Sequence, residues 1–268
     1  MPTSISEKSK IDTNESRKIA QVVKVLRQCK SVLFITGAGI SADSGLPTYR
    51  GIGGLYNDKI TDEGIPIEMV LAGETLKKHP EITWKYLSQI ESNCRNAKFN
   101  RGHEIIAEME KRFERVWVLT QNIDGFHHAA GSRNVIEIHG NMHKLICTEC
   151  SWCTLLKDYS KIEIPPVCPK CAAIARPDVV FFGEMLPENE LAVLERELIK
   201  GFDIYFSIGT TSVFPYISQP ILLANHLGRQ TVEINPCQSE ISDIVGIKIS
   251  LGAACVLEAI WIEYQRGQ

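Results

Sequence analysis

No stretch of this sequence approaches the ~20 consecutive apolar residues that a membrane-spanning helix needs. The opening segment MPTSISEKSKIDTNESRK also lacks the apolar centre of a secretory signal. These absences exclude a helical membrane protein and lead us to expect a cytoplasmic protein with no membrane partner. A large excess of either charge is missing: 29 Lys and Arg against 32 Asp and Glu give a net charge of -3 and a pI near 6.2. A weakly acidic chain is a poor direct ligand for nucleic acid, because non-specific attachment to phosphates requires a basic surface. Internal repeats and low-complexity tracts are also missing, which excludes a solenoid or a linker-dominated design. What remains is an ordinary globular composition, 44% hydrophobic and 23% charged.

The nine cysteines are odd in number and sit in a chain without an export signal, so metal ligation or free thiols are expected in place of a disulfide framework. Cys147-x2-Cys150 and Cys168-x2-Cys171, with 17 residues between the pairs, have the spacing of a tetrahedral zinc ribbon. Each pair sets two thiolates on one tight turn. Four thiolates complete the metal's shell and leave no position for water, so one structural zinc is expected. Cys153 extends the first pair and is read as a bystander. Cys29, Cys94, Cys237 and Cys255 are read as packing residues or free thiols.

Residues 1–16 carry no apolar period and are expected to form a flexible arm. Beyond them, Ile19, Val22, Val23 and Leu26 fall at helical spacing and lead into the apolar run Ser31–Thr36. Short runs recur at Val116–Thr120, Ile204–Ile208 and Thr231–Asn235, each after a helix-like stretch. That alternation predicts an α/β fold: a Rossmann-like parallel sheet with helices on both faces. Two long interruptions predict a smaller domain made of a zinc ribbon and a helical insertion. The expected organisation is a Rossmann-like domain from 17–50, 100–140 and 182–268, a helical insertion over 51–99, and a zinc-ribbon insertion over 141–181.

Gly37-Ala38-Gly39-Ile-Ser-Ala42 follows the first predicted strand and fits the G-x-G-x-x-G/A pattern, in which glycines let backbone amides approach a pyrophosphate. The acidic residue that a dehydrogenase places ~20 residues downstream at the end of its second strand is missing, which disfavours ordinary hydride transfer. Arg50 follows closely and offers a fork of donors suited to phosphate oxygens. After the strand Val116–Thr120, Gln121-Asn122-Ile123-Asp124 puts polar groups at the carboxyl end of a sheet strand, where α/β proteins hold ligands. His139 ends the apolar run Val135–His139 just before the cysteine module.

GAGISADSGLPTYRG, TQNID, IHG, the paired cysteines, RPDVVFFGE and IGTTS occur in an order that resembles the sirtuin family, from Val32 to the C-terminal region. The resemblance implies NAD as co-substrate, one structural zinc, an acyl-lysine protein or peptide as partner, and a cleft between the two domains. It implies that Gly37, Ala38 and Gly39 line the pyrophosphate, with Arg50 at the phosphates, Tyr49 near the nicotinamide, and Asp43 and Thr48 also in the cofactor site. Gln121, Asn122, Ile123 and Asp124 would face the nicotinamide ribose and carboxamide, and Gly209, Thr210, Ser212, Asn235 and Ala253 the adenosine side. Val179, Phe181, Phe182 and Gly183 resemble the segment to which a substrate backbone adds as a strand. His139 is implied as the catalytic proton acceptor, assisted by Asn122 and Asp124, in a reaction that yields nicotinamide, free lysine and O-acyl-ADP-ribose. Succinyl- and malonyl-selective relatives carry a Tyr-x-x-Arg pair where this sequence has Lys85 and Ser88, so a neutral acyl group is favoured. The alternatives are a mono-ADP-ribosyltransferase using the same NAD site, a non-catalytic NAD-binding zinc protein and a zinc-ribbon nucleic-acid adaptor.

Overall fold

The computed structural model describes residues 11–48 and 60–267. Helix α1 (Thr13–Leu26) leads into strand β1 (Ser31–Thr36) and the one-turn helix α2 (Ala38–Ala42). Helices α3 (Ile67–Val70), α4 (Gly73–Lys78), α5 (Pro80–Cys94) and α6 (Arg101–Met109) follow, then β2 (Arg115–Thr120), α7 (Phe126–Ala129) and β3 (Val135–Glu137). Strands β4 (Gly140–Cys147), β5 (Cys153–Leu155) and β6 (Ala175–Val179) come next. The chain ends with α8 (Glu188–Lys200), β7 (Ile204–Ile208), α9 (Pro215–His226), β8 (Gln230–Ile234), β9 (Ile247–Ile249) and α10 (Ala253–Arg266).

Six strands form one parallel sheet in the order β3-β2-β1-β7-β8-β9. Counted among themselves these run 3-2-1-4-5-6, the Rossmann arrangement, whose strand order reverses between β1 and β7. The pleat sends alternate residues of β1 to opposite faces, and both faces are covered. Val32 and Phe34 pack with α1, α6 and α10, whereas Leu33 and Ile35 pack with α8 and α9. Two of the six strands, β3 and β9, are only three residues long and lie at the sheet edges.

The folded chain begins earlier than its composition implies. Asp12 accepts a hydrogen bond from the Glu15 amide at 2.8 Å and caps α1, so residues 12–16 belong to the helix and not to the expected arm. The helix is held by its stripe Ile19, Val22, Val23 and Leu26, all buried against the sheet. At α6, Asn100 caps the amide of Gly102 while His103 reaches back to the Asn100 amide.

A second, antiparallel sheet has the order β5-β4-β6. It shares a core with the helices before β2: Trp84 and Leu87 of α5 pack with Met142, Leu145, Val179 and Phe181, and the Trp84 indole donates to the Ala175 carbonyl at 3.0 Å. Gly140, at φ +81°, is the point where the chain leaves the parallel sheet for this smaller one. A Cβ there would lie 1.9 Å from the Asp178 carbonyl oxygen, so only glycine permits that close pairing of β4 with β6. Among the described residues no helix is long and apolar enough to cross a membrane.

Candidate active site and metal centre

A cavity of about 420 Å³ opens at the β1/β7 reversal, between the carboxyl ends of the parallel strands and the smaller sheet. Gly37, Ala38, Gly39 and Thr48 line it from the first turn, Gly209 and Thr210 from the turn after β7. Gln121, Asn122, Ile123 and His139 form its centre, and Val179, Phe181, Phe182 and Gly183 its far wall. These fourteen sequence-selected residues, scattered along the chain, therefore face one space.

The two glycine turns press on one another. The Gly39 amide donates to the Gly209 carbonyl at 2.8 Å, and a Cβ on Gly39 would lie 2.5 Å from the Gly209 Cα. Gly209 itself sits at φ +58° and would strike Gly39 in return. Part of the glycine requirement is thus backbone packing between β1 and β7, a demand the ligand-binding pattern did not reveal. Other selected residues support this floor without lining the cavity. Asn235 donates to the Thr210 carbonyl at 2.9 Å, and Ser212, in a left-handed conformation, donates its amide to the Thr210 hydroxyl at 3.1 Å. Asp43 accepts from the Ala254 amide at 3.0 Å and so caps α10, with Ala253 buried beside it. Tyr49 and Arg50 lie outside the described residues.

The central polar groups form one network. Asn122 donates to the Gly37 carbonyl at 3.1 Å and to the Ser41 hydroxyl at 3.2 Å, and Ser41 donates to Asp124 at 2.8 Å. Asp124 also accepts from the Phe126 amide at 2.9 Å. Burial pushes its carboxyl above the usual carboxylate range, while those two bonds work in the opposite direction. A smaller cavity of about 20 Å³ lies against Asp124, Asn122, Ser41 and Cys94. His139 sits where β3 passes into β4. Its Nδ1 is 3.0 Å from the Gln121 carbonyl oxygen and its Nε2 is 2.7 Å from the Tyr216 hydroxyl. A carbonyl can only accept, so Nδ1 carries the proton and Nε2 is the bare acceptor. Burial holds the ring below the ordinary histidine pKa of 6.5, keeping it neutral.

Residues that no motif singled out complete the cavity. Leu71, Leu87, Ile90 and Met142 give it an apolar arm towards α5, and Phe214 and Tyr216 flank His139. Only a weak signal marked them, since apolar residues on a helix read as core until the fold turns one face to a cavity. No lysine or arginine lines the space among the described residues. Lys85 points elsewhere, to Asp62 at 3.0 Å and Glu63 at 2.8 Å. Opposite, Arg176 makes paired bonds to Glu184 at 2.6 and 2.8 Å, donates to the Val179 carbonyl at 2.6 Å and covers the Phe181 ring at 4.4 Å. This clamp shapes the turn through Gly183. Phe182 uses its own amide and carbonyl on Leu71 and Gly73, at 3.0 and 3.1 Å.

The ligand atoms of Cys147, Cys150, Cys168 and Cys171 lie within 4.8 Å of one another, and Cys153 is not among them. Neighbouring sulfurs are 3.4 to 3.7 Å apart. A tetrahedral zinc with Zn–S bonds of ~2.3 Å sets sulfurs ~3.8 Å apart, so the four thiols fit one structural zinc. Backbone amides of Glu149 and Lys170 donate to the Cys147 and Cys168 sulfurs at 3.3 and 3.4 Å.

The profile of the Sir2 family matches residues 37–215. An NAD-dependent protein deacylase 2 of Pseudomonas aeruginosa is 48% identical over 87% of this chain and 91% of its own length. Among solved structures, a Sir2 homolog in complex with NAD superposes with a TM-score of 0.82 at 33% identity, covering 92% of this chain and 94% of that one. A Sir2 variant with deacetylated p53 peptide and 3'-O-acetyl ADP ribose superposes with a TM-score of 0.81 at 26% identity, over 91% of this chain and 98% of that one. With its Rossmann sheet, its four-thiol centre and the cavity between the two sheets, this chain belongs to the Sir2 family.

Proposed function

We propose that the chain is an NAD-dependent protein lysine deacylase acting on a neutral acyl group, acetyl first among them. The observation that carries this reading is a neutral His139, its Nδ1 donating to the Gln121 carbonyl, at the meeting point of the glycine turns and the Phe181–Gly183 wall. NAD supplies the electrophilic ribose carbon and a leaving nicotinamide. Gly37, Ala38 and Gly39, with Gly209 and Thr210, bind its phosphate and adenosine portions, and the turn at Asn235 and Ser212 supports them. Tyr49 and Arg50 belong to this proposed site through the family motif. Asn122, Ser41 and Asp124 orient the nicotinamide end.

The acyl-lysine enters along Leu71, Leu87, Ile90 and Met142. An apolar arm excludes water, which protects a reaction whose nucleophile, an amide oxygen, is weak. Among the described residues no lysine or arginine lines that arm, and Lys85 is tied to two carboxylates, which supports a neutral acyl chain over a succinyl one. His139 is the final acceptor of the proton lost by a ribose hydroxyl, whose oxygen attacks the acyl carbon. The substrate backbone is held at the turn through Gly183, where the main chain of Phe182 is already occupied. Zinc supplies the crosslink that holds the ribbon's two cysteine turns together. The four thiols must stay reduced to hold it, which supports the cytoplasm as the compartment.

The test is incubation of the zinc-loaded protein with NAD and peptides carrying acetyl-, succinyl- or long-chain acyl-lysine, following peptide mass and nicotinamide together. NAD-dependent loss of the acyl group with one nicotinamide per lysine, fastest for acetyl, is expected. A mass gain of ADP-ribose would establish the transferase instead, and NAD binding without either change the non-catalytic protein.

A further inference from the structure

Tyr216 belongs to none of the sequence motifs, yet its hydroxyl is the partner of His139 Nε2 at 2.7 Å. With Nδ1 donating to the Gln121 carbonyl, Nε2 has one in-plane lone pair, and the phenol O–H occupies it. A ribose hydroxyl therefore cannot reach that lone pair directly while the phenol stays. The phenol is firmly held. Its ring stacks on Phe214 at 5.4 Å between centroids and 11° between planes, and both rings meet the imidazole nearly edge to face, at 81° and 89°. Tyr216 is the second residue of α9, and Pro215 at the first sets the backbone that aims it. Tyr216 also lines the main cavity, as His139 does.

We propose, on the deacylase reading, that Tyr216 is a proton-relay residue between the substrate ribose and His139. The ribose O–H bond breaks and its proton forms a new O–H bond to the phenol oxygen, while the phenol's original proton passes to Nε2. The ribose oxygen keeps the electron pair with which it attacks the acyl carbon, and the carbon–nitrogen π pair of the alkylated amide passes to the lysine nitrogen. The phenol is neutral before and after, and the imidazole gains one positive charge, which the Nδ1–H bond to Gln121 stabilises. Relay through a held hydroxyl needs no movement of the aromatic pair, which a direct transfer to Nε2 requires.

The step in which nicotinamide leaves precedes this proton transfer, so the two can be read separately. The full-length zinc-loaded protein and Tyr216→Phe are compared for exchange of labelled nicotinamide into NAD in the presence of acetyl-lysine peptide, and for deacetylation. Melting temperature and zinc content serve as controls. Tyr216→Phe is expected to keep exchange and both KM values within about twofold and to lose ~10²-fold in deacetylation kcat. The acid limb of its pH profile should also move upward, because the lost donor no longer favours neutral His139. Unchanged or faster deacetylation would overturn the relay and make the phenol a displaceable cap. Parallel loss of exchange and deacetylation would also overturn it, in favour of a structural role. A wild-type protein that neither exchanges nor deacetylates would defeat the deacylase reading itself, and the relay with it.

Discussion

His139 enters the cavity as a neutral ring with a defined tautomer, and that state has a pH signature. Since burial holds its pKa below 6.5, the base form persists to more acidic solution than for a free histidine. The acid limb of kcat/KM for deacetylation should accordingly lie below pH 6.5, and His139→Ala should lose ~10²-fold or more in turnover while retaining zinc. A pH profile of both proteins, with metal analysis, checks this; an acid limb above 6.5 would mean that another group controls the step. At this scale the sequence was uneven as a guide. His139 and Asn122 could be selected because motif order marked them. Tyr216 could not, because one tyrosine near a helix start has no periodic or spacing signal. Its meaning arises only when the turn after β7 comes alongside the β3–β4 junction.

Among the elements, the turn from Val179 to Glu184 and the cysteine ribbon carry the peptide side of the cavity. The Arg176–Glu184 pair is largely shielded from solvent, and removing one partner leaves the other charge uncompensated. We expect Arg176→Ala to raise KM for the peptide about tenfold, ~1.4 kcal/mol of binding, with KM for NAD nearly unchanged. Steady-state kinetics in both substrates test this, and an equal rise in both values would place the clamp's effect elsewhere. The ribbon's zinc should act on the same wall through the core shared by Trp84, Leu145 and Phe181. Cys168→Ser is predicted to lose the metal and to lower the melting temperature by about 10 °C. Retention of one zinc per chain in that variant would remove Cys168 from the ligand set. The strands β1, β2, β7 and β8 were legible as short apolar runs, because burial on both faces removes polar alternation. The strands β3 and β9 are too short for such a pattern to stand out.

For the molecule as a whole, buried histidines link stability to pH. His103 is fully buried, and burial lowers its pKa from 6.5 to about 4; His127, against Thr36 beneath the sheet's carboxyl end, is lowered well below 6.5. Their rings lie 4.9 Å apart between centroids, so charging one opposes charging the other. In the unfolded chain both take up protons below about pH 6.5, whereas the folded protein does not bind them until far lower pH. The unfolded state thus binds more protons between pH 6.5 and 4, and stability must fall as pH falls through that window. For His103 alone the loss is on the order of 3 kcal/mol. Thermal melts from pH 7 to 4 should show this decline, and it should shrink in His103→Gln. A flat profile would contradict the neutral buried pair.

What the sequence determined by itself was the chemistry that depends on local order. Cysteine spacing specified a four-thiolate centre, apolar runs separated by helices specified a parallel sheet, and ordered polar motifs specified the family. Each of these is written along the chain, because a turn, a strand or a thiolate pair needs only neighbouring residues. Tertiary structure decided what depends on contact between distant segments. It brought Gly39 within van der Waals exclusion of Gly209 and turned Asp43 into a cap for α10. It also tied Lys85 to the 62–63 carboxylates and set Tyr216 on His139. Such contacts follow from the crossover that places β7 beside β1, and no local pattern encodes the distances that result.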